Sequence, residues 1–198
     1  MADRKTLDVY ARRAEDYSRR FDAEKPGKHL LAFIEALPAD AKVLDLGCGT
    51  GRAARFMRQA GFSVDAWDAS PEMARVAKET HDLDVIVATF DQLDAVAVYD
   101  GVFASFTLLH APKSQMPDHL ARIRTALRPG GLFYLGLKTG QGEKRDKLGR
   151  FYAYYEDAEI TGLLEDAGFT VETRDTGSET GLDGTVAPWI ILTARIME

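Results

Sequence analysis

Cys48 is the only cysteine in this chain, which rules out an intramolecular disulfide and any cysteine-based metal cluster. Long apolar runs are missing too. None approaches the ~20 residues that a membrane-spanning helix needs, so no membrane association is expected. The opening stretch MADRKTLDVYARRAEDY is too charged for a secretory signal peptide, which makes the cytoplasm the expected location. Positive charge is in deficit: the net charge is −6, which argues against a broad nucleic-acid-binding surface. Repeats, low-complexity tracts and long linkers are absent, and no histidine–carboxylate cluster points to a bound metal. What remains is an ordinary globular balance, 45% hydrophobic and 28% charged over 198 residues, compatible with one domain spanning 1–198.

The charge is uneven along the chain. Residues 1–28 carry a balance of +2 and residues 138–150 one of +3, leaving −11 for the rest, so two basic segments flank an acidic body. The apolar pattern starts helically, with Leu7, Tyr10, Ala14, Tyr17 and Phe21 on one stripe, and continues with PGKHLLAFIEAL up to Pro38. These two helices form an N-terminal cap over residues 1–38. Strands and helices then alternate. KVLDLG, FSVDAWD, DVIVATF, DGVFASF and LFYLGLK read as strands, separated by helices such as GRAARFMRQAG and the one that Ser70 caps and Pro71 opens. Such alternation implies a parallel sheet covered on both faces. After the helix DAEITGLLEDAGF, the strands TVETRDTG and APWIILTARIM have no helix between them, so they pair as an antiparallel hairpin. The expected fold is a three-layer, doubly wound α/β sheet of seven strands, mostly parallel, with a C-terminal antiparallel hairpin.

VLDLGCGTG, at the end of the first strand, places Gly47, Gly49 and Gly51 directly after Asp45. Glycine tolerates positive φ and lets a ligand approach the backbone, and the turn lies where open α/β sheets bind ligands. The following helix N-terminus favours a negative or electron-rich group. Gly49, Gly51 and Ala54 also fit the dinucleotide pattern G-x-G-x-x-G/A, a weak signal alone. Asp45 decides against a dinucleotide, because a carboxylate there repels a pyrophosphate and suits a cation. Asp68, closing the second strand, can accept both hydroxyls of a ribose.

A ligand with an ammonium at one end and an adenosine at the other meets both demands. In this respect the chain closely resembles the class I, seven-strand S-adenosylmethionine-dependent methyltransferases. The resemblance rests on VLDLGCGTGRAA, the acid of VDAWDASPEM, ATFDQLD, YDGVFASFTLLH and LRPGGLFYLGLK, in that order. It implies S-adenosylmethionine as cofactor. Asp45 would hold the methionine ammonium, and Gly47, Gly49 and Gly51 would lie against the methionine part. Asp68 would bind the ribose, with Ala69 and Met73 against sugar and adenine. Phe90 would lie on the adenine, Asp91 would receive its exocyclic amine, and Ser105 would sit beneath the methionine chain. The N-terminal helix often folds over the cofactor in this family, which brings Tyr17 towards the methionine end.

The expected acceptor is a small molecule, methylated by in-line displacement, because nothing in the chain resembles an appended recognition domain. His110 is the candidate base or hydrogen-bond partner, set against a purely structural histidine. Tyr10, Arg150 and Tyr152 are candidate substrate contacts, Arg150 for an anionic acceptor, and residues 138–155 form the expected substrate lid. The chain lacks an Asn/Asp-Pro-Pro-aromatic tetrapeptide and a Pro-Cys pair, patterns of base-methylating enzymes. The alternatives are a non-catalytic S-adenosylmethionine-binding protein and an NAD(P)-dependent oxidoreductase, which would need a separate catalytic unit. The protein is expected to act as a monomer or homodimer.

Overall fold

Burial sets the centre of the sheet. Strand β1 (Lys42–Leu46) is buried from Val43 to Leu46, and β4 (Tyr99–Ser105) and β5 (Leu127–Lys138) are buried over most of their lengths. Near-continuous apolar runs of this kind fit strands covered on both faces. The structure is a computed structural model, and it describes residues 3–21 and 24–196. Flanking β1 are β2 (Ser63–Asp68) and β3 (Val85–Val87) on one side, with β4 and β5 on the other. Beyond β5 lie β9 (Val186–Ile196) and then β8 (Phe169–Thr180), giving the order β3-β2-β1-β4-β5-β9-β8. The first five run parallel, and β9 is antiparallel to both β5 and β8. The order reverses between β1 and β4, so a crevice opens at their carboxyl ends.

Alternation along the central strands divides the core. Val102, Phe133 and Leu135 face α6 (Met116–Ala126) and α7 (Asp157–Asp166). Phe103 and Tyr134 point to the opposite layer, where they meet Phe33 of α3 (Lys28–Glu35) and Met57 of α4 (Arg52–Gln59). The Phe103 and Tyr134 rings stack with centroids 4.1 Å apart. Ser70 caps α5 (Pro71–His81) as expected, accepting from the Met73 N–H at 3.3 Å.

Two local features differ from the sequence reading. The first helical stripe is broken at Arg13, whose φ of −119° and ψ of 12° leave the helical region, giving α1 (Arg4–Arg12) and α2 (Ala14–Phe21). Ala14, Tyr10 and Tyr17 still converge, packing on Met73 and Val76 of α5. The basic segment after β5, expected as a lid, holds two short strands that the sequence reading did not include: β6 (Glu143–Arg145) and β7 (Phe151–Ala153) pair as an antiparallel hairpin.

Candidate functional site

At the end of β1 the chain doubles back, and the N–H groups of Gly47 and Cys48 both donate to the Trp67 carbonyl of β2, at 2.7 and 2.9 Å. Gly47, Gly49 and Gly51 all have positive φ, +74°, +56° and +81°. That conformation costs an L-residue about 1–2 kcal/mol. The reasons for their missing side chains differ. A Cβ on Gly47 would stand 1.9 Å from Thr107 Oγ1, and one on Gly51 would stand 2.5 Å from Leu83 Cδ2. Those two positions are fixed by the protein's own packing. At Gly49 the nearest atom is Tyr17 Cε1, 3.8 Å away, so only there does the absent side chain leave open space.

Two neighbouring chambers share Gly47 and Tyr10 in their walls. The smaller, about 80 Å³, is walled by Asp68, Ala69, Phe90, Asp91, Thr107 and His110 under the N-terminal residues Asp3, Thr6 and Leu7. The larger, about 510 Å³, contains Asp45, Gly49, Tyr17 and Ser105 and extends to Arg150 and Tyr152. Most sequence-predicted site residues thus line one or the other of these adjacent chambers. Gly51 and Met73 line neither chamber. The absent side chain of Gly51 faces Leu83 and Ala77, and Met73 is buried against Ala14 and Val76.

Both carboxylates are strained electrostatically. Asp45 is 2% exposed, and its Oδ2 accepts from the Ala54 N–H at 3.0 Å. Burial pushes its carboxyl up to about 7, and the Asp68 charge adds to the effect. Asp68 accepts from Gly49 N–H through Oδ2 and from Ser70 N–H through Oδ1, both at 2.8 Å. Burial raises its pKa as well. Each Asp68 oxygen keeps a lone pair for a further donor. A cation beside Asp45 would relieve the desolvation that now favours its neutral form.

His110, the candidate base or hydrogen-bond partner weighed against a structural histidine, is engaged at both ring nitrogens. Its Nδ1 lies 2.7 Å from the Phe151 carbonyl, which can only accept, so Nδ1 carries the proton and Nε2 is bare. Nε2 then accepts from the Tyr10 hydroxyl at 2.8 Å. Burial, with the charges of Arg150 and Lys138, pushes the imidazole down to about 4. A ring with both nitrogens engaged and so low a proton affinity orients Tyr10 instead of collecting protons. Tyr10 oxygen in turn accepts from Arg150 Nη1 at 2.9 Å, and Arg150 grips Asp146 Oδ2 through Nε and Nη2 at 2.9 and 2.7 Å. This ion pair is buried, at 3% and 6% side-chain exposure. Arg150 is therefore already compensated, contrary to its expected role as a free anion-binding group. Thr6 Oγ1 accepts from Phe151 N–H at 2.8 Å, and Arg145 pairs with Asp3, so α1 is fastened to the hairpin.

Sequence reasoning missed several cavity residues. Trp189 is pressed so closely on Gly177 that a Cβ there would stand 2.4 Å from its ring. Phe106 has a φ of +54°, uncommon for an aromatic residue. Tyr134 and Lys138 reach the cavity from β5. His119 of α6 lines the small chamber, 5% exposed, with neither ring nitrogen hydrogen-bonded. A buried imidazole without partners is costly unless a ligand or water supplies them. An adenosine-bearing ligand fits the smaller chamber on this count and on the lone pairs that Asp68 keeps. Among the described residues no His/Cys/Asp/Glu group suits a metal ion, and no helix is long and apolar enough to cross a membrane.

Comparison with known proteins agrees with this geometry. Residues 43–131 match the model of the methyltransferase domain family. The chain is 42% identical over 127 residues to a malonyl-[acyl-carrier protein] O-methyltransferase of Pectobacterium atrosepticum, covering 63% of this chain and 49% of that protein. It is 34% identical over 145 residues to a ubiquinone biosynthesis O-methyltransferase of Xanthomonas axonopodis, covering 65% and 59%. The chain thus spans less than two thirds of the curated relatives it matches. Among solved structures, the 1,6-didemethyltoxoflavin-N1-methyltransferase of Burkholderia thailandensis, with bound 1,6-didemethyltoxoflavin and S-adenosylhomocysteine, superposes with a TM-score of 0.76. Its sequence identity is 25%, over 98% of this chain and 88% of that one. The glycine turn, the paired acids of β1 and β2 and the strand order agree with these similarities: residues 43–131 match the methyltransferase domain, and the chain shares the fold of a methyltransferase that binds S-adenosylhomocysteine.

Proposed function

We propose that the protein transfers a methyl group from S-adenosylmethionine to a small-molecule acceptor by in-line displacement. The observation that carries this reading is the pair of adjacent chambers beside the glycine turn: a small one walled by Asp68, Ala69, Phe90 and Asp91, and a wide aromatic one next to it. Asp68 is assigned to the ribose hydroxyls, Ala69 and Phe90 to the faces of the nucleoside, and Asp91 to the adenine amine. Gly47 and Gly49 leave their backbone free for the methionine part, and Asp45 holds its ammonium. Ser105 and Tyr17 close the sides of that segment. When bound, the cofactor supplies an electrophilic methyl on a sulfonium sulfur. The chain's remaining task is to hold the acceptor in line with it and to keep water out.

Tyr10 stands at the junction of the chambers, fixed by His110 and Arg150, so it orients whatever lies there. The hairpin of β6 and β7, fastened to α1, covers the cavity as a lid. Relatives named for ubiquinone biosynthesis O-methylation and for N1-methylation of 1,6-didemethyltoxoflavin support a small acceptor without choosing the atom.

The test is calorimetric binding of S-adenosylmethionine and S-adenosylhomocysteine, followed by transfer of an isotope-labelled methyl to a panel of small acceptors read by mass spectrometry. S-adenosylhomocysteine should bind and NAD(P) should not. Failure of S-adenosylhomocysteine to bind would overturn the proposal. Binding with no label transferred across a broad panel would favour a non-catalytic role.

A further inference from the structure

Lys138 is a cation of the larger chamber that makes no ion pair among the described residues, with Asp183 as the first of the acids that act on it from a distance. It closes β5, is half-buried, and its Nζ rides 4.4 Å above the Tyr152 ring. No carboxylate among the described residues lies within ion-pair distance of that nitrogen. The neighbouring acids are otherwise placed: Asp146 is taken by Arg150, Asp183 holds the Thr185 N–H and hydroxyl, and Glu179 is exposed at the rim. Arg150 sits 5.2 Å from the same Tyr152 ring, so two cations lie against one aromatic ring and only Arg150 is in an ion pair. Desolvation and the Arg150 charge lower the Lys138 pKa, against the opposing pull of Asp183, Asp146 and Glu179. Around this point the walls are Phe103, Phe106, Tyr134, Trp189 and Ile191, flat and apolar.

We propose that the methyl acceptor is a small planar aromatic molecule carrying an ionised oxygen acid, carboxylate or phenolate, and that Lys138 binds this charge while the aromatic walls hold the ring. The inference rests on the methyltransferase reading and deepens it. An anion on Lys138 would give its ammonium the direct ion pair that no carboxylate of the described residues makes, and the ring would replace water against five apolar side chains. Charge-assisted contacts in a half-buried setting are stronger than surface ion pairs, which sets the scale of the expected preference.

The test measures probe binding by calorimetry in the presence of saturating S-adenosylhomocysteine. The probes are hydroxybenzoates, nitrophenolates and the uncharged methyl esters of the same hydroxybenzoates. Wild-type protein should bind at least one anionic series about tenfold more tightly than the esters. The carboxylate and phenolate arms show which acid is read. Lys138→Met should shrink that preference to within about threefold while its S-adenosylhomocysteine affinity stays unchanged, and Lys138→Arg should retain it. Esters that bind as well as acids, or acids that do not bind at all, would overturn the inference. So would a Lys138→Met variant that keeps the preference, or one that loses turnover without losing it. Loss of S-adenosylhomocysteine binding by the wild type would instead strike the proposed function itself.

Discussion

Occupying the cofactor chamber should expel a proton from Asp45. In the free protein burial holds this carboxyl at about 7, so at pH 6 it carries roughly 0.9 of a proton. An ammonium placed against it restores the ionised form, so binding at pH 6 should release about 0.9 proton and at pH 8 only about 0.1. Affinity should then fall roughly tenfold for each pH unit below 7. At high pH the ligand's own α-amino group, ordinarily near ~8, must take up a proton, which gives an affinity maximum between pH 7 and 8. The assay is calorimetry with S-adenosylhomocysteine in buffers of different ionisation enthalpy. Asp45→Asn should abolish most of the proton release at pH 6, leaving whatever Asp68 contributes.

The same shift acts on stability with a definite sign. The folded value of Asp45 lies above its ordinary 3.8, so the group's contribution is whole below that pH and is lost as pH rises through about 7. The full difference is on the order of 4 kcal/mol. Asp45→Asn keeps an oxygen for the Ala54 N–H and never ionises, so the ligand-free variant should melt higher than the wild type at pH 8 and equally at pH 4. A binding isotherm without proton release at pH 6, or an Asn variant less stable than wild type at pH 8, would refute the reasoning.

The glycine turn gives a paired prediction. Gly47→Ala drives a methyl into Thr107 and should lower stability by more than about 2 kcal/mol in urea denaturation, whereas Gly49→Ala should cost only about 1 kcal/mol and instead lose cofactor binding. Equal destabilisation by the two would contradict the division of roles. Asp68→Ala should weaken S-adenosylhomocysteine at least about tenfold by calorimetry, as expected for lost hydrogen bonds to a charged acceptor. Asp146→Ala leaves Arg150 buried without its anion and should cost about 3–5 kcal/mol by chemical denaturation; a near-neutral outcome would mean that the pair is solvated.

The cofactor half of the site was legible in the sequence because its parts are local. A strand of four buried residues, a glycine turn and a helix start occupy ten consecutive positions, and Asp68 stands just before a Ser-Pro helix cap. Period, spacing and capping chemistry suffice to place such residues at one sheet edge. They do not show which glycine faces the ligand. That depends on Thr107 and Leu83, contacts made across the fold, so Gly51 and Gly49 look alike in sequence and differ in space. The break at Arg13 was equally hidden, because the apolar stripe continues through it.

The acceptor half resists sequence reading for a related reason: its charges are allotted by long-range pairing. In one dimension Arg150 and Lys138 are two cations of the same basic segment, and Arg150 is the more natural anion ligand by its fork of donors. In the fold the positions invert. Asp146 lies four residues before Arg150 and turns back to hold both its N–H groups and its charge, while Tyr10, 140 residues away, takes another donor. His110, drawn between Tyr10 and the Phe151 carbonyl, is saturated in the same way. Each of these groups looks reactive by residue type and is spent on fastening α1 to the hairpin. Lys138 has no ion-pair partner by that accounting, and a charge in a partly desolvated cavity costs free energy that an anionic ligand would offset.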